Sequence, residues 1–280
     1  MFLMNRLSAA VRDLRELFNL PQLTINLMYE DTKDNDPFYG KIVKDFYKDS
    51  LSWHPKYPFL AKFRHGVATC VLPTSFDAYF MKIEASARRN YKKASRCGYI
   101  FSKIQFNDYL EDIGAIRSSA EYRQGKMSEE WLRQPPRPVA NPPSQTDVHD
   151  YSYFGVLREG RLYSYAGCFI AGEMCHLEQI FGHERFQPDG IVPMLIISIA
   201  NYLYTTHPHV KYYIYGSYFG AGETMRRFKR KFGFLPHRVT WVLKSPCTTS
   251  MTSRELPLTV NEKLTEKTLF SLEGEGQGGK

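Results

Sequence analysis

Cysteine is scarce in this chain of 280 residues, and the chain lacks long apolar runs and glycine-rich nucleotide motifs. Its five cysteines are scattered and form no CxxC pair, which argues against a disulfide framework or zinc site and favours a reducing, cytoplasmic location. The most apolar stretch, IVPMLIISIANYLY, is short for a membrane span and is interrupted by Pro193, Ser198 and Asn201. We expect it to form a buried helix, and we expect no transmembrane segment.

Positive charge is in excess, since 37 Lys and Arg face 29 Asp and Glu, for a net charge of +8. An excess of this size favours anionic partners, which include nucleic acid, nucleotide phosphates and acidic membranes, without choosing among them. Apolar residues make up 43% of the chain, as is ordinary for a globular protein, and the 15% of aromatic residues suit a sheet-rich core or a lined cleft.

Composition divides the chain into three segments. Residues 1–72 combine an amphipathic helix, the strand LTINLMYE and an aromatic-rich irregular stretch, and they form an N-terminal extension. Residues 73–245 hold the regular alternation of helices and strands, and residues 246–280 are polar, end in EGEGQGGK and are expected to be a flexible tail. The pattern does not indicate the oligomeric state.

The order of elements from Ser75 to Lys244 is α-β-α-β-β-β-α-β-α-β. It begins with one long helix that ends at Gly98, where a left-handed cap favours glycine. Three antiparallel strands follow a proline-rich loop, with turns at Glu159-Gly160 and Ala171-Gly172. This order predicts an α/β (α+β) fold with a mixed, mostly antiparallel sheet over roughly Tyr99 to Leu243, flanked by helices. GxGxxG follows no predicted strand, which excludes a doubly wound dinucleotide fold.

The helix near the end of the chain, ETMRRFKRKFGF, combines a core face with a dense set of cations. Met225, Phe228 and Phe232 share one side of the helix, and five cations occupy the rest. Cations near a helix C-terminus are stabilised by the helix dipole, by about 0.3–1 kcal/mol each. A solvated basic face therefore explains most of them: Arg226, Arg227, Arg230 and Lys231.

Three stretches carry a resemblance to a known family. RRNYKKASRCGY, IRSSAEYRQGK and RRFKRKFGFLPHRVTW, in this order over about residues 75–244, resemble motifs of the GNAT acyltransferase superfamily, and within it of the Fem-type branch and its acetyltransferase-like relatives. The resemblance implies a GNAT-like fold that transfers an acyl or aminoacyl group from acyl-CoA or aminoacyl-tRNA directly to an amine acceptor, without a metal. Fem-type proteins usually carry two tandem units, so residues 1–72 are either a remnant of a first unit or an unrelated cap.

The resemblance also implies a catalytic strand, MCHLEQIFGH. Backbone N–H groups between Ile180 and His183 would stabilise the oxyanion where this strand diverges from the next. Alternation along the strand places His176, Glu178 and Ile180 on one face and Leu177, Gln179 and Phe181 on the other. Glu178 is the candidate general base, and a solvent-facing or ion-paired structural glutamate is the alternative. His176 and Glu178 do not form a zinc deaminase motif, because no P-C-x-x-C follows.

Donor-binding residues are implied on the same strand, on the loop that follows it and on the basic helix. Gln187 and Gly190 in QPDGIV match part of the pyrophosphate-binding loop of acetyl-CoA enzymes, but Val192 stands where glycine or alanine is usual. The resemblance places Lys229 near the acyl donor as a catalytic and binding residue. The implied donor site consists of Phe181, Gly182, Gln187, Gly190 and Lys229.

Further candidates serve the leaving group and the acceptor. Tyr215 or Tyr218 would protonate the leaving group, by analogy with a tyrosine often found near this position in the family. Arg123, His176 and Ser217 are the candidate acceptor-binding residues, and a surface arginine is the alternative for Arg123.

Two functions of different classes remain open from the sequence. The first is an N-acyltransferase, in which the basic helices and the incomplete QPDGIV loop favour an aminoacyl-tRNA donor, whereas Gln187, Gly190 and the single-unit size favour acyl-CoA. The second is a non-catalytic GNAT-like module that binds nucleic acid through its basic helices.

Overall fold

The computed structural model describes residues 17, 19–54, 57–123, 126–219 and 221–244, without the side chains of residues 54 and 57–60. All of these residues belong to one compact unit, Met1–Ser245. The amphipathic helix predicted at the start of the chain lies almost entirely outside the described residues, and the predicted tail, 246–280, lies wholly outside them.

The strands form one eight-stranded sheet and one separate hairpin. The sheet has the order β1-β10-β4-β9-β8-β7-β6-β5, and β2 pairs with β3. The β1–β10 and β8–β9 pairs are parallel and the other neighbours are antiparallel, so the predicted mixed, mostly antiparallel sheet is confirmed. The strands are β1 (Gln22–Asn26), β2 (Trp53–His54), β3 (Tyr57–Ala61), β4 (His65–Val71), β5 (Ile100–Ile104), β6 (His149–Arg158), β7 (Arg161–Ala171), β8 (Met174–Gly182), β9 (Tyr212–Ser217) and β10 (Leu235–Val242).

Several of the helices begin at residues whose side chains satisfy free backbone N–H groups or at glycines. Asp36 Oδ1 accepts a hydrogen bond from Tyr39 N at the start of α1, and Ser75 Oγ accepts one from Ala78 N at the start of α2. The described α-helices are α1 (Pro37–Leu51), α2 (Phe76–Lys82), α3 (Ala85–Arg96), α4 (Leu110–Ser118), α5 (Glu129–Arg133), α6 (Ile191–Thr206) and α7 (Glu223–Lys231).

The single helix predicted from Ser75 to Gly98 is in fact two helices. The chain leaves helical geometry at Ile83 and Glu84, where Glu84 N donates to Lys231 O at 2.9 Å instead of continuing the helix. Arg88 donates to the carbonyl of Met81 at 2.6 Å and so satisfies the end of α2. A tertiary contact with the end of α7 thus overrides the local apolar periodicity.

Two strands of the sheet come from the N-terminal segment, residues 1–72, which had been interpreted as an extension outside the sheet. β4 lies between β10 and β9, and β1 forms the edge beside β10. The expected start of the sheet near Tyr99 is therefore wrong, because β4 had been taken for irregular chain. The boundary between segments at residue 72 stays a prediction.

The meander formed by β6, β7 and β8 is confirmed, together with both of its predicted turns. Glu159 and Gly160 both have positive φ, of 53° and 76°, as a two-residue hairpin turn of the primed type requires. Gly172 has φ of 51°, and a Cβ at this position would lie 2.3 Å from Asn26 O. The second turn therefore requires glycine so that β1 can approach it.

Helices cover the sheet on two faces. On one face, called the α6 face, α3 and α6 pack on Leu177, Tyr213 and other residues of the largest core cluster. On the opposite face, called the α1 face, α1 packs on Phe169, and α4 packs on Tyr165. Within the described chain no helix is long and apolar enough to cross a membrane.

We predict that the N-terminal strand belongs to the same cooperative unit as the rest of the sheet. Ile25 in β1 is fully buried, and Ile25→Ala should lower the free energy of unfolding by about 2–5 kcal/mol, because burial is lost and a cavity remains. Thr24→Ala, on the exposed side of the same strand, should stay within about 0.5 kcal/mol of wild type. Urea unfolding followed by fluorescence measures both. Two separate transitions in the wild-type protein would contradict the prediction.

Candidate active site

The site begins where two parallel neighbours of the sheet separate. β8 and β9 pair only at Met174, Cys175 and His176, opposite Tyr212, Tyr213 and Ile214. Within the described chain, β8 has no partner in β9 beyond His176. This opening exposes the region that the sequence analysis assigned to oxyanion stabilisation, and a reacting carbonyl group placed there would lie between the two faces of the sheet.

A β-bulge lies next to the opening. Gln179 has φ of 46°, and the register between β7 and β8 shifts here, so that Glu178 lies opposite Gly167 while Phe181 lies opposite Tyr165. The bulge adds one residue to β8 and reverses the alternation of side chains. The predicted alternation is therefore wrong beyond Glu178: Ile180 packs on the α6 face, whereas Phe181 packs against Tyr165 on the α1 face, the face of Glu178.

Glu178 is held from two sides. The Tyr151 hydroxyl donates to Glu178 Oε2 at 2.7 Å, and His176 Nδ1 lies 3.2 Å from Oε1. The histidine contact lacks hydrogen-bond geometry, so it acts as an ion pair when the imidazole is protonated. Burial tends to raise the pKa of Glu178, but His176 and the Tyr151 hydroxyl outweigh burial and lower it. The carboxylate is therefore ionised at neutral pH.

Gly167 makes the contact between Tyr151 and Glu178 possible. A Cβ at position 167 would lie 2.7 Å from the Tyr151 hydroxyl oxygen, so the tyrosine crosses β7 only because glycine leaves the space. Burial and the charge of Glu178 together raise the pKa of Tyr151, which keeps the hydroxyl protonated as a donor. Tyr151 was not identified from the sequence. In YSYF, Tyr151 and Tyr153 alternate to the same face, and Tyr153 lies opposite Gly167 in the next strand. A tyrosine next to a cross-strand glycine is the signal that could have indicated this contact.

His176, a predicted acceptor ligand, is enclosed by aromatic rings. Its ring lies 5.7 Å from Phe46 of α1 and 5.4 Å from Phe63, and the residue is 7% exposed. This position suits a residue that orients Glu178 better than one that contacts a large acceptor. Among the described residues, no cluster of His, Cys, Asp and Glu could hold a metal ion.

Lys229 is buried on the opposite face. It is 3% exposed, its ammonium group donates to Ser217 O at 2.7 Å, and Nζ lies 4.8 Å from the centre of the Tyr215 ring. Burial lowers the pKa of Lys229 to about 8. This lysine thus differs from the solvated cations of α7, as the sequence analysis predicted on the basis of the motif.

The other candidates on β9 surround Lys229. Tyr215 packs within the core of the α6 face, and burial raises its pKa. The hydroxyl of Tyr218 accepts from Arg230 at 3.2 Å, and Ser217 donates from Oγ to Phe219 O at 2.7 Å. Ser217 therefore meets Lys229 through its backbone carbonyl, while its hydroxyl is engaged elsewhere. We call Tyr215, Ser217, Tyr218 and Lys229 the lysine cluster.

The candidates for the donor loop are held by α3. Gly190 has φ of 87°, and a Cβ there would lie 2.2 Å from Asn90 O. Lys93 donates to Pro188 O at 2.7 Å, and Tyr99 donates to Asp189 at 3.1 Å. Gln187 is exposed, so the loop presents one accessible predicted residue, while its glycine serves close packing against α3.

The start of α6 is also crowded. A Cβ at Gly182, the other predicted donor-binding glycine, would lie 2.5 Å from Val192 Cγ2. Asp189 places a carboxylate immediately before the helix, where an acyl-CoA enzyme would hold a pyrophosphate. The helix N-terminus at this loop favours a phosphate. The carboxylate of Asp189 and the side chain of Val192 oppose one.

Arg123 links the end of α4 to the end of β8. Its guanidinium donates to Gly182 O at 2.9 Å, to Ile116 O at 2.6 Å and to Ser119 Oγ at 3.1 Å. The same group lies over the Phe181 ring at 5.3 Å. These contacts give Arg123 a structural role that neither earlier interpretation included, and the acceptor role stays a prediction.

A groove of about 620 Å³ lies between the proline-rich loop and β5–β6. Tyr151 and Tyr153 contribute to its wall, together with Asn141, Pro142 and Ile104. Its lining includes neither Glu178 nor Lys229. We place the chemistry at the opening between β8 and β9 because the half-buried carboxylate and the buried amine are there, and the groove reaches that site only through the two tyrosines.

Comparisons with known proteins rest on structure alone. No family model matches the sequence, and no curated protein matches it. The fold is similar to that of FemX, at 10% identity and a TM-score of 0.48, over 63% of this chain and 60% of that one. L-PGS from Bacillus licheniformis matches at 13% identity and a TM-score of 0.39, over 61% of this chain and 57% of that one.

A GCN5-related N-acetyltransferase-like protein from Streptococcus suis also matches, at 12% identity and a TM-score of 0.33, over 71% of this chain and 64% of that one. In each case the match spans less than two thirds of the other chain. These neighbours include the GNAT-like and Fem-type structures that the sequence motifs predict. At such distances they carry no argument about donor, acceptor or activity, which must come from the site itself.

We predict that Tyr151→Phe raises the pKa of Glu178, because the substitution removes a hydrogen bond to the ionised carboxylate. NMR titration of carboxyl-labelled glutamate measures the change, and Tyr163→Phe, at a tyrosine that packs against the other face, should leave it unaltered. The ionised carboxylate stabilises the fold above the unfolded pKa of about 4.3, and this contribution is lost as the pH falls through the folded pKa. An unchanged Glu178 titration would show that the tyrosine contact is absent in solution.

We predict a second pH effect from Lys229. Its folded pKa of about 8 lies below the unfolded value of about 10.4, so the unfolded chain binds more protons between these values and stability rises with pH across this window. Lys229→Met should remove that rise, whereas Lys231→Met should preserve it. Urea unfolding at pH 7.5, 9 and 10 tests this. Identical pH dependence in wild type and Lys229→Met would refute a depressed lysine pKa.

Proposed function

We propose that this protein is an N-acyltransferase in which an amine acceptor attacks an activated carbonyl group directly. The observation that carries the proposal is the opening between β8 and β9. It has an ionised, half-buried carboxylate on one face and a buried lysine with two tyrosines on the other. A solvated surface or a purely structural sheet requires neither the buried lysine nor a carboxylate held by Tyr151 and His176.

The reaction assigns one task to each face. The acceptor amine enters on the α1 face, and its nitrogen forms a bond to the donor carbonyl carbon within the opening. Glu178 takes the proton that the amine loses, and the bond from carbonyl carbon to the donor sulfur or ribose oxygen breaks. The leaving thiolate or alkoxide is protonated on the α6 face, where Tyr215 and Tyr218 supply hydroxyl groups.

Backbone groups serve the negative oxygen that develops during attack. The bulge at Gln179 turns the backbone of residues 180–183 relative to the rest of β8, next to the unpaired edge that faces β9. N–H groups there are suited to an oxyanion because they carry no net charge and need no reorganisation, except that of His183, which donates to Tyr163 O at 2.8 Å. Lys229 adds a positive charge from the α6 face, either to the donor or to the leaving group.

We propose aminoacyl-tRNA rather than acyl-CoA as the donor. Val192 and Asp189 oppose a pyrophosphate at the start of α6, and Gly190 is occupied by packing against α3. By contrast, the start of α3 contacts the end of α7 through the hydrogen bond from Glu84 N to Lys231 O, and both helices carry exposed cations that we group as a basic surface. Its members are Lys82 at the end of α2, Arg89, Lys92, Lys93 and Arg96 on α3, and Arg227 and Arg230 on α7.

The same basic surface favours a second candidate function, a non-catalytic module that binds nucleic acid. The two candidates differ in what co-purifies and in what turns over. RNA that nuclease removes is compatible with both, but transfer of a labelled aminoacyl group to an amine supports only the first. Transfer from acyl-CoA, with none from aminoacyl-tRNA, would keep the reaction and overturn the proposed donor.

We predict that Glu178→Gln lowers kcat by about 10²–10⁴-fold, the usual effect of removing a positioned acid or base, while the fold and donor binding persist. The acid limb of the pH–rate profile should change as well, since an amide does not titrate. Single-turnover assays with mass detection of the acylated amine measure the rate, and Glu111→Gln on the exposed side of α4 is the matched control.

Two results would change this assignment. Reduced stability with an unaltered rate per folded molecule would make Glu178 a structural residue. Full activity in Glu178→Gln together with a loss in Lys229→Met would transfer the catalytic role to the lysine cluster.

A further inference from the structure

An arginine that the proposed reaction does not yet use lies beside the acceptor face. Arg117, in the last turn of α4, donates from Nε to the hydroxyl of Tyr165 at 2.9 Å. Its guanidinium stacks over the ring of Trp131 at 4.2 Å and lies 6.0 Å from that of Phe106. Stacking and the Nε bond together fix the plane of the group, as in arginines that bind anions through a fork of two nitrogens.

The charge of Arg117 has no carboxylate partner among the described residues. Other arginines in this part of the fold do: Arg161 pairs with Asp112 at 2.7 Å, and Arg133 pairs with Glu129 at 2.8 Å. Arg117 is half-buried, and its two Nη atoms are not among the buried atoms without a partner, so they are open to solvent. A fixed guanidinium that engages only Nε among the described residues is suited to an anion from outside the chain.

Arg117 and Glu178 lie on the same face of the sheet. We call a set of residues paired across the strands a row: Tyr165, which Arg117 contacts, and Glu178 belong to neighbouring rows. Tyr153, Gly167 and Glu178 are opposite one another across β6, β7 and β8, and Tyr165 is two residues from Gly167 along β7. Strand spacing then separates Tyr165, which anchors Arg117, from Glu178 by about 8 Å between backbones. Tyr153 lies between the two charges. Its pKa is raised, chiefly by burial; the charge of Glu178 adds to the increase, and the charge of Arg117 reduces it.

The helices leave this strip of the α1 face between them. α1 covers the row that contains Phe169 and His176, through Phe46 at 5.6 and 5.7 Å. α4 and α5 cover the row that contains Tyr165, through Arg117 and Trp131. The middle row has Gly167 at its centre, where the Tyr151 side chain crosses it to reach Glu178, and Tyr151 and Tyr153 also line the groove. A small acceptor bound above these tyrosines, on their solvent side, would face Glu178 with one end and Arg117 with the other.

We infer that the acceptor is an amine that carries its own anionic group, a carboxylate or a phosphate, and that Arg117 binds this group while Glu178 faces the amine. The inference rests on the proposed function, because it names the acceptor class of the same site. Arg117 is then a specificity-determining residue. Its loss should weaken the binding of acceptors that carry the anion and leave the binding of acceptors without the anion unchanged.

The experiment compares pairs of probes that differ only in the anion. Calorimetry measures binding of L-lysine against cadaverine, L-phenylalanine against phenethylamine, and phosphoethanolamine against ethanolamine, to the full chain without donor. We expect the anionic member of at least one pair to bind at least 10-fold more tightly, and the amino acid and phosphate pairs distinguish the two sources of anion. Equal binding within all three pairs would overturn the inference.

Variants assign the preference to the arginine. Arg117→Gln should abolish the difference within the responding pair, and Arg117→Lys, which keeps the charge without the fork, should reduce it. Arg133→Gln, an exposed arginine on the neighbouring helix α5, should preserve it. Circular dichroism and melting confirm that each variant is folded, and Arg117→Lys decides the matter if the glutamine variant is not. A preference that survives in both Arg117 variants would refute the assignment.

Transfer assays separate this inference from the function on which it rests. If binding shows the preference and no donor gives transfer, the proposed reaction fails while the anion site stands. If transfer occurs and Arg117→Gln raises KM equally for both members of a pair, the reaction stands and the anion site is refuted.

Discussion

The left-handed conformation of Gln179 determines how the rest of the candidate site is arranged. One extra residue in β8 moves Ile180 to the α6 face and Phe181 to the α1 face, and it does so immediately after Glu178. Pairing with β9 has already ended at His176, so the strand is free to diverge. The bulge thus decides which side chains of β8 flank the opening on each face.

The charges of Glu178, which is half-buried, and Lys229, which is buried, are stabilised in different ways. Glu178 receives a hydrogen bond from Tyr151 and a nearby imidazole, and these interactions keep the carboxylate ionised despite burial. Lys229 receives one carbonyl and an aromatic face, which are too little to keep its usual pKa. The site therefore combines a carboxylate that holds its charge with an amine that readily loses one, and the sheet lies between them.

Local pattern was sufficient for much of the fold. The β6–β8 meander, its turns, the buried helix α6 and the core face of α7 all follow from periodicity and from glycine positions in the sequence. The motif lysine Lys229 was singled out from its helix by resemblance, and its burial agrees with that distinction. What the sequence did not reveal depends on contacts between distant segments: the break between α2 and α3 at Glu84, the insertion of β4, and the bulge that reverses Ile180 and Phe181.

Site residues were predicted best where one strand carried them. His176 and Glu178 were placed on one face correctly, because two-residue alternation holds up to the bulge. Tyr151 and Arg117 were missed because each lies on another element: Tyr151 contacts Glu178 across a glycine, and Arg117, the proposed anion ligand, lies at the end of a helix. Gln187 and Gly190 illustrate the reverse: they match a motif, yet α3 occupies the space next to the glycine.

The position of β1 has a consequence for how the chain is made. The first strand of the described chain pairs in parallel with the last one, β10, and with no other strand of the sheet. During synthesis β1 leaves the ribosome long before its partner β10. Its apolar residues therefore stay exposed to solvent until β10 has been made. Pairing between such distant segments forms slowly and leaves an unfolded edge open to wrong partners. Completion of this sheet therefore depends on β10, the last of its strands to be made.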